Sequence, residues 1–128
     1  MSLDLYLEAD NALTVPALGL ALETAGALEV NMVNGGLEAA FMSGLTLTAD
    51  GATTDSTIYA EDTKGIDFRV ALRCNIRIKG PEPEGQSAME DLDKIAEAIA
   101  QTSSSLFLIT FQFEEILYWR DVTGLHRP

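Results

Sequence analysis

The sequence predicts an α+β fold, a mostly antiparallel sheet with two helices packed on one face. Several segments alternate apolar and polar residues, which is the pattern of a strand with one buried face. Two other segments repeat apolar residues at helical spacing. At 128 residues, with 47% apolar and 22% charged residues, the chain fits a single globular domain, residues 1–128, that buries one core.

The first third of the chain reads as strand, helix and hairpin. Residues 3–9 alternate strictly and predict a strand. Residues 15–25 carry apolar side chains at helical spacing, and Gly26 suits the left-handed conformation that ends a helix. Between the apolar residues of 28–43, Asn34-Gly35 is a typical two-residue hairpin turn. We therefore expect a helix between the first strand and a hairpin.

The middle of the chain contrasts a polar segment with a long alternating one. Residues 45–65 are rich in Thr, Asp and Gly and predict a long loop or a weak edge strand. Residues 66–79 alternate throughout and predict a single strand, which would span roughly 45 Å and therefore needs a bend or a bulge. Residues 80–85 form a polar linker whose prolines cannot continue a ladder.

The last third begins with a helix. Ser87 and Glu90 form a capping box ahead of an apolar helical face. Residues 106–113 are almost wholly apolar, as in a central strand covered on both faces. Residues 114–121 fit either a strand after a bulge or a short terminal helix. Both halves of the chain thus read strand, helix, strand, which would also fit an internal duplication.

The charge of the chain is unevenly distributed. Residues 1–63 contain no Lys or Arg but ten acids, whereas all eight basic residues come later, and the net charge is −12. Repulsion of phosphate disfavours nucleic acids and anionic membranes as partners. A surface of this sign favours a basic protein partner.

Half of the basic residues lie in one alternating run. Arg69, Arg73, Arg77 and Lys79 occupy odd positions of residues 66–79. They can bind a carboxylate or phosphate, or they can pair across the sheet with acids of neighbouring strands. We favour pairing, because a chain with few cations tends to use them on its own acids. We expect Arg73 and Arg77 within salt-bridge distance of acids on the sheet.

The sequence shows no recognisable catalytic or metal-binding pattern. Cys74 is the only cysteine, so it forms no intrachain disulfide, and it falls on an apolar strand face where a structural role is expected. His126 is the only histidine and lies close to the C-terminus. Neither residue type is numerous enough for a zinc site. We predict no cofactor and no metal, and we favour a protein that is not an enzyme.

Targeting features are also few. No apolar run approaches the length of a membrane span. The first residues lack the basic start and apolar stretch of a secretory signal. The sequence therefore predicts a cytoplasmic protein that does not associate with membranes.

The leading functional hypothesis is a non-catalytic, acidic protein-binding module that engages a basic protein partner, as an inhibitor, antidote or adaptor would. Glu8 and Asp62 are the candidate charges. Tyr6, Tyr59 and Trp119 are the candidate anchors, because aromatic residues are enriched at the centres of interfaces.

Two alternatives belong to other classes. One is a small enzyme or ligand-binding domain that holds an anionic ligand on Arg69, Arg73, Arg77 and Lys79. The other is a self-assembling structural subunit. A homodimer is expected if an exposed sheet edge is covered by a second copy.

Overall fold

A computed structural model describes residues 2–51, 53 and 55–127. This part of the chain forms eight strands and two helices. In chain order they are β1 (Ser2–Ala9), α1 (Val15–Thr24), β2 (Glu29–Val33), β3 (Gly36–Ala40), β4 (Leu45–Ala49), β5 (Leu72–Lys79), α2 (Ala88–Thr102), β6 (Phe107–Phe111), β7 (Glu115–Asp121) and β8 (Gly124–His126).

The described strands form one eight-stranded sheet in the order β2-β3-β4-β5-β1-β6-β7-β8. Every neighbouring pair is antiparallel. The two helices contact each other, and they pack on one face of the sheet. The predicted α+β fold with an antiparallel sheet is confirmed.

The two strand–helix–strand segments differ in the way they cross the sheet. The segment β1-α1-β2 joins strands that are separated by β5, β4 and β3, whereas β5-α2-β6 joins strands separated only by β1. Both predicted segments are present. Because they place their strands differently, the two halves do not repeat one topology.

Both helices begin where the sequence predicts. The Thr14 hydroxyl accepts a hydrogen bond from the Ala17 N–H at 3.2 Å, and the Ser87 hydroxyl accepts one from the Glu90 N–H at 3.2 Å. Each side chain satisfies a backbone donor that the first helical turn leaves unpaired. After α1, Gly26 has a φ of 100°, a conformation that glycine adopts at little cost.

The main core lies between the helices and one face of the sheet. Alternate residues of the central strands meet the apolar stripe of each helix there. Its fully buried side chains include Leu5, Leu7, Leu18, Leu22, Leu37, Leu45, Leu47, Ile76, Leu92, Ile95, Ile99 and Phe107.

The prediction of a loop or weak edge strand at residues 45–65 is wrong for its first part. Leu45–Ala49 is strand β4, which lies between β3 and β5 in the sheet. Leu45, Leu47 and Ala49 point into the core, and the intervening threonines are β-branched residues that suit a strand. Its high threonine content made this short strand resemble a loop.

The prediction of one strand over residues 66–79 is wrong for its first six residues. The strand begins at Leu72, and residues 66–71 are irregular. The Val70 N–H donates to the Ser56 carbonyl at 2.9 Å rather than to a ladder partner. Ile66 and Val70 are nevertheless buried, which explains why the apolar alternation continues beyond the strand.

After α2, every regular element of the described chain is a strand. Glu115–Asp121 forms β7, so the strand alternative holds and the helix alternative is wrong. A turn at residues 112–114, not the predicted bulge, precedes β7, and a register shift between Ile109 and Thr110 lies inside the pairing of β6 with β7. Strand β8 pairs with β7 and was not predicted.

Candidate functional site

The sheet face opposite the helices is partly covered by residues 55–71, which we call the cover segment. Ala60 and Ile66 of this segment pack on Leu108 of β6 in a second apolar cluster. Leu108 is fully buried, although its neighbours Phe107 and Ile109 belong to the main core on the other face. This segment therefore gives β6 cover on both faces, as its sequence predicts.

The side chain of Glu8, on β1, connects the sheet to the cover segment by hydrogen bonds. Its side chain is 0% exposed. The carboxylate accepts hydrogen bonds from the backbone N–H groups of Tyr59, at 2.8 Å, and Ala60, at 3.1 Å. It also lies 3.2 Å from Nη2 of Arg73, the residue directly opposite on β5. A buried carboxylate needs such partners, because burial without them is costly.

Every N–H of the Arg73 guanidinium is engaged within the chain. Nε and Nη2 donate to Glu8 at 3.3 and 3.2 Å, and Nη2 also donates to the Thr57 carbonyl at 2.6 Å. Nη1 donates to the Thr53 hydroxyl and to the Asp55 carbonyl, both at 3.3 Å. An anion bound here would have to displace one of these acceptors.

The predicted cross-strand pairing of Arg73 and Arg77 is confirmed. Arg77 lies opposite Asp4, and its Nε is 3.0 Å from the carboxylate. The stripe of four cations is not one surface, however. Arg69 lies in the cover segment rather than on β5, and Lys79 is the exposed last residue of β5. The strand starts too late in the chain to include Arg69.

Two of the predicted anchors meet around a third aromatic ring. Tyr6 stacks on Phe113 with ring centroids 4.0 Å apart, and Tyr59 meets Phe113 edge-on at 5.6 Å. The Tyr59 ring also carries the Arg73 guanidinium at 3.9 Å from its centroid, a cation–π contact. Phe113 lies in the turn before β7 with a φ of 65°, and no sequence pattern indicated this contact.

The other anchor lies in a separate group on the same side of the sheet. Trp119 stacks on His126 with centroids 5.0 Å apart, and the Lys64 ammonium lies 5.4 Å from the Trp119 ring. Lys64 also lies 3.1 Å from the Asp62 carboxylate. The structure thus brings Asp62 and Trp119 together through Lys64, which sequence reasoning did not single out.

Glu8 differs from Asp62, the other predicted charge, in its location, because Asp62 is exposed. Because Glu8 is buried below Tyr59 and Ala60, it offers no exposed charge to a partner. Its alternation with apolar neighbours resembled a solvent-facing position, but the cover segment closes this part of the face. Glu8 therefore positions the backbone of Tyr59.

Hydrogen bonds shift the pKa of two exposed acids in the cover segment, Asp55 and Asp62. The Tyr59 hydroxyl donates to the Asp55 carboxylate, which lowers the pKa of Asp55 and raises that of Tyr59. The backbone N–H and then the side chain of Lys64 lower the pKa of Asp62. Both carboxyls therefore stay negative at neutral pH.

A groove of about 420 Å³ lies beside Arg73 on this face. Its charged residues are Asp50 and Arg73, and the Arg73 donors are already engaged. Its lining comprises Tyr6, Thr48, Asp50, Gly51, Thr53, Arg73, Cys74 and Asn75. Cys74 is buried, which raises the pKa of its thiol and keeps the sulfur protonated and unreactive.

The outer face of strands β2 to β4 and the residue after β4 carry exposed acids, and we call this surface the acidic wing. Its charges are Glu29, Glu38 and Asp50. Grooves of about 210 and 170 Å³ lie on this surface, and Glu38 and Thr48 line both. The cover segment does not reach this part of the sheet, so the carboxylates face solvent.

Neither a metal centre nor a membrane span is present in the described part of the chain. No three His, Cys, Asp or Glu side chains among residues 2–51, 53 and 55–127 are grouped so that they could hold a metal ion. Within the same ranges, neither helix is long and apolar enough to cross a bilayer.

Comparison with protein-family models, with curated proteins and with solved structures gives no match.

Proposed function

We propose that the chain is a non-catalytic binding module whose acidic surface engages a basic protein partner. One observation carries the proposal: the two arginines of β5 pair with acids of β1, while the acids of the wing stay exposed. Arg73 and Arg77 pair with Glu8 and Asp4, whereas Glu29 and Glu38 face solvent. The field of the wing is therefore not neutralised by its neighbours, and it attracts cations over roughly a Debye length.

The apolar part of the proposed interface lies next to the cover segment. Tyr59 is 45% exposed, and its backbone is fixed by Glu8. Partly exposed Tyr6 joins it through Phe113, whereas partly exposed Trp119 lies in the separate group with Lys64 on the same side of the sheet. Rigid aromatic side chains bind with little loss of conformational entropy, and they supply the specificity that charge alone does not.

The alternative of an anionic ligand on the basic stripe has less support. It needs free guanidinium donors, and those of Arg73 are engaged within the chain. Self-assembly stays a prediction. A second copy would pair at β2 or β8, which are the edges of the described sheet. The cytoplasmic location likewise remains an expectation from the sequence.

Pull-down from the native host followed by a salt titration tests the proposal. We expect a basic protein to be recovered, with an affinity that falls as salt is raised from low ionic strength. Glu38→Lys and Asp62→Lys should each weaken the complex by roughly five- to tenfold, because each replaces an attraction by a repulsion.

The matched control is Glu84→Lys, which changes the net charge equally but lies in the linker between β5 and α2. It should have a smaller effect than either test variant. Recovery of small anions alone, or binding that is indifferent to salt and to both reversals, would reject the acidic interface and support the ligand-site alternative.

A further inference from the structure

Strand β2 is an edge of the described sheet that lacks the lysine, proline and bulge by which many edges are blocked. It pairs with β3 on one side and is the terminal strand of the described sheet on the other. Its sequence, Glu29–Val33, contains no Lys or Pro, and its register with β3 is uninterrupted. Lysine, proline and bulges are the common means of blocking an edge.

The turn determines which backbone groups of β2 are free. Asn34 and Gly35 both have positive φ, 49° and 81°, as in the type I′ turn of a two-residue hairpin. In such a hairpin the flanking residues, Val33 and Gly36, form a hydrogen-bonded pair. Alternation along the ladder then directs the N–H and C=O of Met32 away from β3.

Exposed apolar residues accompany this edge. Met32 is 57% exposed and Val33 is 41% exposed, and Leu28, just before the strand, is 64% exposed. On α1, which contacts β2, Leu20 is also 64% exposed. The edge therefore offers both unpaired backbone groups and apolar surface, the two components that strand addition uses.

The charges near β2 indicate what kind of strand fits. On the outer face Glu29 lies on β2, and Glu38 lies behind it on β3 opposite Asn31. On the helix face β2 presents Val30 and Met32. A strand complementary to both faces alternates Lys or Arg with apolar residues, because cross-strand neighbours of opposite charge attract.

We propose that an extended segment of the basic partner, alternating cationic and apolar residues, adds to β2 as a further strand. This inference rests on the proposed function, since it takes the partner to be basic. A second copy fits this edge less well. It would add two more acids, Glu29 and Glu38 of the second chain, to a surface that is already acidic, whereas a cationic strand would neutralise that surface.

The test measures the binding of a short capped peptide to the full chain. Lysine and valine alternate along the peptide. Two N-methylated forms of the peptide separate backbone pairing from charge. One carries methyl groups on the amides that face β2, and the other carries them on the alternate amides. We expect the first to bind about tenfold or more weakly than the second, since it loses ladder hydrogen bonds at equal charge.

A variant of the protein gives the complementary test. Met32→Pro removes an outward N–H from β2, and proline is tolerated at such edge positions. It should weaken the unmethylated peptide by about tenfold, while Met32→Leu retains the N–H and should leave affinity within about twofold. Circular dichroism and thermal unfolding check that both variants fold.

The outcomes are distinguishable from failure of the proposed function. If both methylated peptides bind equally and Met32→Pro has no effect, edge pairing is rejected, even if binding stays salt-dependent and the acidic interface is retained. No binding of the peptide at low salt also rejects edge pairing, and the pull-down then decides the function by itself. Dimers that Met32→Pro abolishes would assign the edge to a second copy.

Discussion

Glu8 and Arg73 lie directly opposite each other on β1 and β5, and their side chains meet at 3.2 Å beneath the cover segment. Asp4 and Arg77 form a second pair of the same charge types on the same two strands, at 3.0 Å. The first pair is largely enclosed, with side-chain exposures of 0% for Glu8 and 16% for Arg73, whereas Arg77 is 46% exposed. The two ion pairs have similar distances, but we expect the enclosed pair to affect the free energy of unfolding more than the exposed pair does.

The first prediction compares these two pairs. Arg73→Met leaves the Glu8 carboxylate buried with only the two backbone N–H donors, and it should lower the free energy of unfolding by about 3–5 kcal/mol. Arg77→Met breaks the exposed pair and should cost less than about 1 kcal/mol. Urea denaturation of both variants measures the difference.

The double variant Glu8→Gln/Arg73→Met is the control for an uncompensated charge. It removes the buried charge together with its partner, and it should be more stable than Arg73→Met alone. If Arg73→Met and Arg77→Met lowered the free energy of unfolding equally, the pair of Glu8 and Arg73 would contribute no more than a surface pair.

Local patterns of the chain predicted the elements well, but they did not predict the order of the strands. Ser87, Glu90 and Gly26 act through neighbours along the chain, so the helix boundaries could be read directly. Apolar alternation, in contrast, reports only that one side is buried. It cannot distinguish strand β5 from residues 66–71, which bury Ile66 and Val70 without pairing in a ladder.

The site was predicted in part for the same reason. A cation and an acid at matching positions of two strands are visible in the sequence, and the Arg73 pairing follows from them. The contacts of Phe113 and Lys64 depend on how the cover segment folds back over β1 and β6. The burial of Glu8 depends on the same segment, so local alternation placed this residue at the surface.

The second prediction concerns Gly36, where the hairpin β2-β3 meets β4. A Cβ built on this residue would overlap the Ala49 carbonyl oxygen and lie 3.1 Å from Asp50 Cα. Both neighbours are backbone, so the clash cannot be relieved by a side-chain rotation. Gly36→Ala should therefore destabilise the protein by about 1–3 kcal/mol, measured as a loss of thermal stability.

Gly80→Ala is the matched control for this change. A Cβ on Gly80 meets nothing within 4 Å. The substitution should stay within about 1 kcal/mol of the original protein, since it mainly restricts the unfolded chain. If Gly36→Ala were as stable as Gly80→Ala, this result would contradict the close approach of Gly36 on β3 to the backbone of Ala49 and Asp50.

The third prediction concerns the turn between β7 and β8. The Thr123 hydroxyl donates to the Asp121 carboxylate at 2.5 Å, and the Thr123 N–H donates to it at 2.8 Å. These bonds, with a contribution from His126, lower the pKa of Asp121 from 3.8 to about 2. The ionised carboxylate is thus favoured in the folded chain, so this contribution to stability is present above about pH 4 and is lost as the pH falls toward 2.

Carboxyl carbon NMR titration of Thr123→Val should show the pKa of Asp121 rising toward its ordinary value, though not fully, because the backbone N–H remains a donor. Thr123→Ser keeps the hydroxyl and should preserve the low pKa. Acid unfolding should follow the same order, with the valine variant gaining less stability than the serine variant between pH 2 and pH 4. A pKa near 3.8 for Asp121 in the unchanged protein would contradict the turn geometry from which the shift arises.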